Sequence, residues 1–204
     1  MATITISRQM GSRGGEVARL VAELLGYRLV WRDLINQAAR RSGAPEVALA
    51  AIDELGLLGF CPSPKACLAY RQAVQQVMEE LAAEGNAVIV GRAGQAILSG
   101  RPAVLHVRVI APSSVRAGRV ALQKEVTLEC AQAQIEASDR YRRNYLRRFY
   151  KIRWDDPDLY DLTLNTARLT PAAAAQLVGQ AVTNALAYDT AEASSQDEFN
   201  IDRE

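Results

Sequence analysis

Two periods alternate along the chain. Thr3–Ser7 is a β-branched run that reads as a strand. A glycine-rich turn follows it. Val17, Leu20, Val21, Leu24 and Leu25 then recur at helical spacing, which predicts a helix from Gly14 or Gly15 to a C-cap at Gly26. Tyr27–Val30 is a short apolar run. Arg32–Arg41 reads as helix and stops at Ser42-Gly43, and Ala44–Leu58 reads as an Ala-rich helix with Pro45 in its first turn. Gly59–Lys65, with Pro62 and Pro64, reads as a loop. Ala66–Glu84 carries Val74, Val77, Met78 and Leu81 at helical spacing.

The second half repeats the alternation. Ala87–Val90 is continuously apolar, as a buried parallel strand would be, and Gly91-Arg92 follows at once. Val104–Ile110 is a further strand between Pro102 and Pro112. Ser113–Leu122 and Leu128–Tyr150 read as helices and Tyr160–Asn165 as the last strand. Thr170-Pro171 supplies an N-cap and a first-turn proline for a helix to about Tyr188. The acidic segment 189–204 reads as a disordered tail. Strand–helix alternation with buried strands predicts a three-layer α/β/α domain with a mostly parallel sheet. Ligands of such sheets bind at the carboxyl ends of the strands. The loops after Ser7, Val90 and Ile110 should therefore share one face.

Length and charge narrow the choice of function. The 204 residues allow one sizeable core. A net charge of +1 gives no global attraction to nucleic acid or an anionic membrane. No apolar run is long enough to span a bilayer, and the N-terminus does not read as a signal peptide. Three cysteines and one histidine make a zinc site a poor expectation and suggest reduced thiols in a cytoplasmic protein. His106, in mid-strand, reads as a sheet residue. Trp31 and Trp154 read as packing residues.

Three constellations carry candidate chemistry. Ser12, Arg13, Gly14 and Gly15 stand between a strand and a helix, where unpaired N–H groups and the helix dipole would attract an anion. The same turn could also be a tight connection without a ligand. Arg92 at a strand end is either a surface salt bridge or a planar fork for a phosphate. Arg140, Arg142, Arg143, Arg147, Arg148, Lys151 and Arg153 alternate with Tyr141, Tyr145, Phe149 and Tyr150. They allow a solvated basic face, a nucleic-acid surface or a lid that closes over polyphosphate. The near-neutral net charge and the acidic tail count against nucleic acid.

These residues resemble the cytidylate kinase-like family, a nucleoside monophosphate kinase branch of the P-loop kinases. The matching stretches are Ile4-Thr-Ile-Ser-Arg-Gln-Met-Gly-Ser12 with Gly15-Glu16, Gly85-Asn-Ala-Val-Ile-Val-Gly-Arg92, Leu105-His-Val107 with Ala111-Pro112, Asp139 with Arg142 and Asn144-Tyr145, Trp154-Asp-Asp-Pro157, and Tyr160-Asp-Leu-Thr-Leu-Asn165. They run in family order across residues 2–188.

The resemblance implies ATP- and Mg²⁺-dependent phosphorylation of a nucleoside monophosphate, CMP or dCMP. It implies that Ser7, Arg8, Gly11, Ser12, Arg13, Gly14, Gly15 and Glu16 hold the donor phosphates, with Glu16 also the candidate metal ligand. Arg92 and Asp33 would bind the acceptor. Arg13, Asp139, Arg142 and Arg143 would serve catalysis. Arg147, Arg148 and Arg153 would belong to a lid at 139–157, and 44–84 to a helical acceptor-side region.

The chain departs from the family pattern at several points. Gly14 stands where ordinary cytidylate kinases carry the loop lysine, and Glu16 where they carry the magnesium-binding Ser or Thr. Trp31 replaces an aspartate common in the branch, and Trp154-Asp155-Asp156 replaces Trp-Gly-Asp. A non-catalytic nucleotide-binding or regulatory module is the alternative that these losses suggest.

Overall fold

A computed structural model describes residues 1–31, 41 and 64–184. Asp33, the helices expected over 32–58 and the tail at 189–204 lie outside the described residues, apart from Arg41, which is helical. Five strands form one parallel sheet: β1 (Thr3–Arg8), β2 (Arg28–Val30), β3 (Ala87–Val90), β4 (Val104–Ile110) and β5 (Leu162–Asn165). Their order is β2-β3-β1-β4-β5, with Ile4 beside both Val88 and Leu105. β1 is thus the central strand, and all six of its residues are buried. Its alternation is functional in the packing. Ile4 and Ile6 enter one layer with α1 (Gly14–Leu25) and the helix at 171–184, here α6, through Val17, Val21, Ala174 and Val178.

The opposite layer is built by α2 (Pro64–Glu84). Its Ala73, Val77, Met78 and Leu81 cover Val30, Ala87 and Ile89. The short α3 (Gly94–Ile97) closes beside it, with Leu98 in the same cluster. α4 (Ser113–Lys124) and α5 (Leu128–Tyr150) form a pair with their own core at Ala117, Val120, Ala131 and Ile135. The sandwich is the expected α/β/α architecture, with both faces of the sheet covered. Among the described residues no helix is long and apolar enough to cross a membrane.

Local signals placed most of the boundaries. Gly26 caps α1 with a left-handed φ of 66°, and the Thr170 hydroxyl accepts from the Ala173 N–H at the head of α6. Three boundaries differ. α2 begins at Pro64, inside the expected loop, because a proline suits a first helical turn. β5 begins only at Leu162, because Pro157–Leu159 make a 3₁₀ turn that Asp156 caps. α3 has no apolar repeat to announce it, and it follows three successive left-handed residues, Gly91, Arg92 and Ala93.

His106 sits on the α2 face of β4 beside Thr5, whose hydroxyl lies 2.6 Å from Nδ1. Burial lowers its pKa, and Asp161 only partly opposes this. The folded protein therefore resists a proton that the unfolded chain accepts below about pH 6.5. Stability should be full above that pH and fall as the pH drops through it, with a slope of at most about 1.4 kcal/mol per pH unit. This is the only histidine in the chain, so urea unfolding of His106→Gln should show a flatter profile across the same window.

Candidate phosphate-binding site

The turn from β1 to α1 is governed by what lies behind it. Gly11 has φ 77°, and a Cβ there would stand 2.8 Å from the Arg116 carbonyl oxygen on α4. Only glycine admits both the conformation and the helix. Gly14 lies so close to Arg8 that a Cβ would reach within 2.4 Å of the Arg8 Cβ. Arg13 adopts the left-handed conformation, φ 59°, at the N-cap of α1.

Carbonyl oxygens of this turn are held from outside. Arg116 donates through Nη1 to Met10 O (3.2 Å) and through Nε to Ala111 O (3.0 Å). Arg119 donates to Gly11 O (3.3 Å). The Thr166 hydroxyl donates to Ser12 O (2.7 Å) and accepts from Arg119 Nη1 (3.0 Å). The N–H groups behave differently. Ser12 N–H bonds to Gln9 O, but those of Gly11, Arg13, Gly14 and Gly15 have no hydrogen-bond partner among the described residues. Four donors and a helix N-terminus thus stand together, and a bound anion would satisfy them.

They open into a cleft of about 830 Å³ lined by Arg8, Arg13, Arg19, Arg119 and Arg142 as well as the turn itself. Among the described residues Glu16 is the one carboxylate on its wall. Burial lowers the pKa of Arg119, and the neighbouring Arg13 lowers it further. Burial likewise lowers that of Arg142, and Asp139 only partly offsets it. Guanidinium groups stay charged in proteins. Both shifts come first from burial, and an anion in the cleft would favour the charged forms.

The residues expected to act together are divided by the fold. Arg8, Gly11, Arg13, Gly14, Gly15, Glu16 and Arg142 line the cleft. Ser7 is buried and accepts from the Trp154 indole (2.8 Å). Ser12 is fully buried, its hydroxyl turned to Gln9 O. Asp139 is buried in an ion pair with Arg116 (2.9 Å), so it acts on the loop through that arginine. Arg143, Arg147 and Arg153 line a separate, smaller pocket of about 180 Å³. Adjacent helical residues point about 100° apart, which parts Arg143 from Arg142. Arg148 lies over the Phe149 ring. Arg92 is half-buried outside the lining of the large cleft.

Sequence reasoning missed Arg19, Arg116, Arg119, Thr166 and the place of Trp31. Arg116 and Arg119 stand three apart on the helix after β4, a shared-face signal that a reading focused on the 140–153 cluster passed over.

Glu16 does not fit the expected role of a metal ligand. Arg13 Nε and Nη2 occupy both of its oxygens at 2.8 and 2.9 Å. Among the described residues no three His, Cys, Asp or Glu side chains gather elsewhere. A hard cation such as Mg²⁺ takes oxygen ligands, and the one carboxylate of the cleft among the described residues is already paired with Arg13.

A model of the cytidylate kinase-like family matches residues 3–168. The chain belongs to the cytidylate kinase-like family. A cytidylate kinase from Pyrococcus horikoshii is 30% identical over 181 residues, which cover 88% of this chain and 87% of that protein. One from Natronomonas pharaonis is 28% identical over 191 residues, 91% of each. Among solved structures, an uncharacterized protein from Eubacterium ventriosum has a TM-score of 0.70 at 20% identity, over 90% of this chain and 99% of that one. A shikimate kinase from Acinetobacter baumannii, solved with shikimate, has a TM-score of 0.52 at 16% identity, over 90% and 94%. These two likenesses show a shared α/β fold.

Asp139→Asn should leave the Arg116 guanidinium buried without its counter-charge. A loss of about 3–5 kcal/mol is expected, read as a lowered urea midpoint. A midpoint equal to that of the parent protein would mean that the pair does not hold α5 to the loop.

Proposed function

We propose that this protein transfers the terminal phosphoryl group of ATP to a nucleoside monophosphate, CMP or dCMP. The observation that carries the reading is the set of N–H groups at Gly11 and Arg13–Gly15 that have no partner among the described residues, beneath five arginines in one cleft. The family relatives named cytidylate kinase support the nucleotide class.

The step needs little from the protein in covalent terms. An acceptor phosphate oxygen attacks the terminal phosphorus of ATP, the bond to the bridging oxygen breaks, and ADP leaves with that electron pair. The acceptor phosphate is already ionised near neutral pH, so no general base is required. What remains is alignment and neutralisation of charge spread over the phosphoryl oxygens. The turn N–H groups hold the donor phosphates. Arg119 and Arg142 replace the lysine, entering from α4 and α5. Arg92 holds the acceptor phosphate. Arg13, whose charge Glu16 already meets, orders the loop unless that pair opens. The protein holds no dedicated metal in this scheme, and Mg²⁺ would enter as part of the nucleotide substrate.

A second reading, nucleotide binding without turnover, draws on the same Arg13–Glu16 pair, which leaves one cleft cation already neutralised. A coupled assay of ATP with CMP, dCMP, UMP, AMP and GMP separates the two. Turnover of CMP or dCMP is expected. Arg142→Ala and Arg119→Ala should each lower kcat about 100-fold or more, and Arg92→Ala should raise the acceptor KM. Nucleotide binding by calorimetry with no product from any acceptor would establish the second reading instead.

A further inference from the structure

Trp31 belongs to the cleft wall, and among the described residues it is the one large aromatic side chain there. The two tryptophans have different surroundings. Trp154 is 3% exposed and hydrogen-bonded to Ser7, a packing residue as expected. Trp31 keeps 37% of its surface open. One side of its indole is closed by the loop: a Cβ on Gly15 would stand 2.9 Å from the ring. The Arg8 guanidinium carbon lies 5.2 Å from the ring centroid. Gly15 is therefore needed for the tryptophan as much as for a phosphate.

We propose that Trp31 is a stacking platform for the ring of the acceptor and so a specificity-determining residue of the cleft. The inference rests on the kinase reading above and names the part of the acceptor that this wall contacts. A ligand that enters an arginine-lined cleft and meets an open indole must combine an anionic group with a planar ring. A nucleotide has both. Position chooses between donor and acceptor. Trp31 directly follows β2, on the β3 side of β1, where Arg92 follows β3. Arg119 and Thr166 tie the loop from the β4–β5 side. Stacking is tolerant of base identity because every base presents a π-face. Trp31 therefore selects for the presence of a base, and other contacts select which base.

The test combines kinetics with intrinsic emission. Trp31→Ala should raise the acceptor KM for CMP about tenfold, the usual loss when a stacking aromatic is removed. The ATP KM should stay unchanged. Trp31→Phe keeps a π-face and should restore the acceptor KM to within about threefold of the parent value. CMP should quench the emission of the parent protein but not that of Trp31→Phe. Ribose 5-phosphate, which has the phosphate and lacks the base, should quench neither. An unchanged acceptor KM in Trp31→Ala would overturn the proposal. So would equal quenching by ribose 5-phosphate, or a rise confined to the ATP KM. The emission measurement needs binding alone, so it decides the role of Trp31 even where the parent protein phosphorylates no monophosphate and the kinase reading falls.

Discussion

The turn after β1 is held by its carbonyls. Arg116, Arg119 and Thr166 take the oxygens of Met10, Gly11 and Ser12 from outside the turn. Among the described residues the N–H groups of Gly11, Arg13, Gly14 and Gly15 have no hydrogen-bond partner. Donors gathered at a helix N-terminus attract an anion, and a phosphate can meet several at once. The rest of the structure serves that arrangement. α4 presents the two arginines, β5 leads to Thr166, and the buried Asp139–Arg116 pair ties α5 to the same loop.

This scaffold changes the meaning of the missing lysine. A loop lysine brings one flexible point charge, whereas arginine brings a planar fork of donors. Here the cations reach the cleft from β1, α1, α4 and α5. Burial first, and then the neighbouring Arg13, lowers the pKa of Arg119, an electrostatic tension that Glu16 opposes. Binding an anion would stabilise the cluster as well as the anion. The Arg13–Glu16 pair moderates that tension on the exposed side. The same pair engages both oxygens of Glu16 and the guanidinium of Arg13.

Much of the fold was legible because its signals are local. The two-residue period of Thr3–Ser7, the continuous run Ala87–Val90, the glycine at 26 and the Thr170-Pro171 pair each act on their own few residues. β5 and α3 were less legible, because a 3₁₀ turn and a strained left-handed stretch carry no apolar repeat. The site was legible only in part. Arg142 and Arg143 look equivalent in a charge run, yet the helix turns one toward the phosphate cleft and the other toward the pocket of Arg147 and Arg153. Asp139 looked like a catalytic carboxylate, and the fold places it in a buried ion pair with Arg116.

By itself the sequence determined the alternation of strands and helices, the glycine turn at the end of the first strand and the resemblance to a kinase family. Each follows from residue spacing or from matching stretches in order. Tertiary structure alone decided which cations meet at that turn, which tryptophan faces the cleft and which carboxylate remains available. Those outcomes depend on the strand order β2-β3-β1-β4-β5. That order brings Arg8, Arg119 and Arg142 to one opening although more than a hundred residues separate the first from the others. No local pattern encodes such a distance.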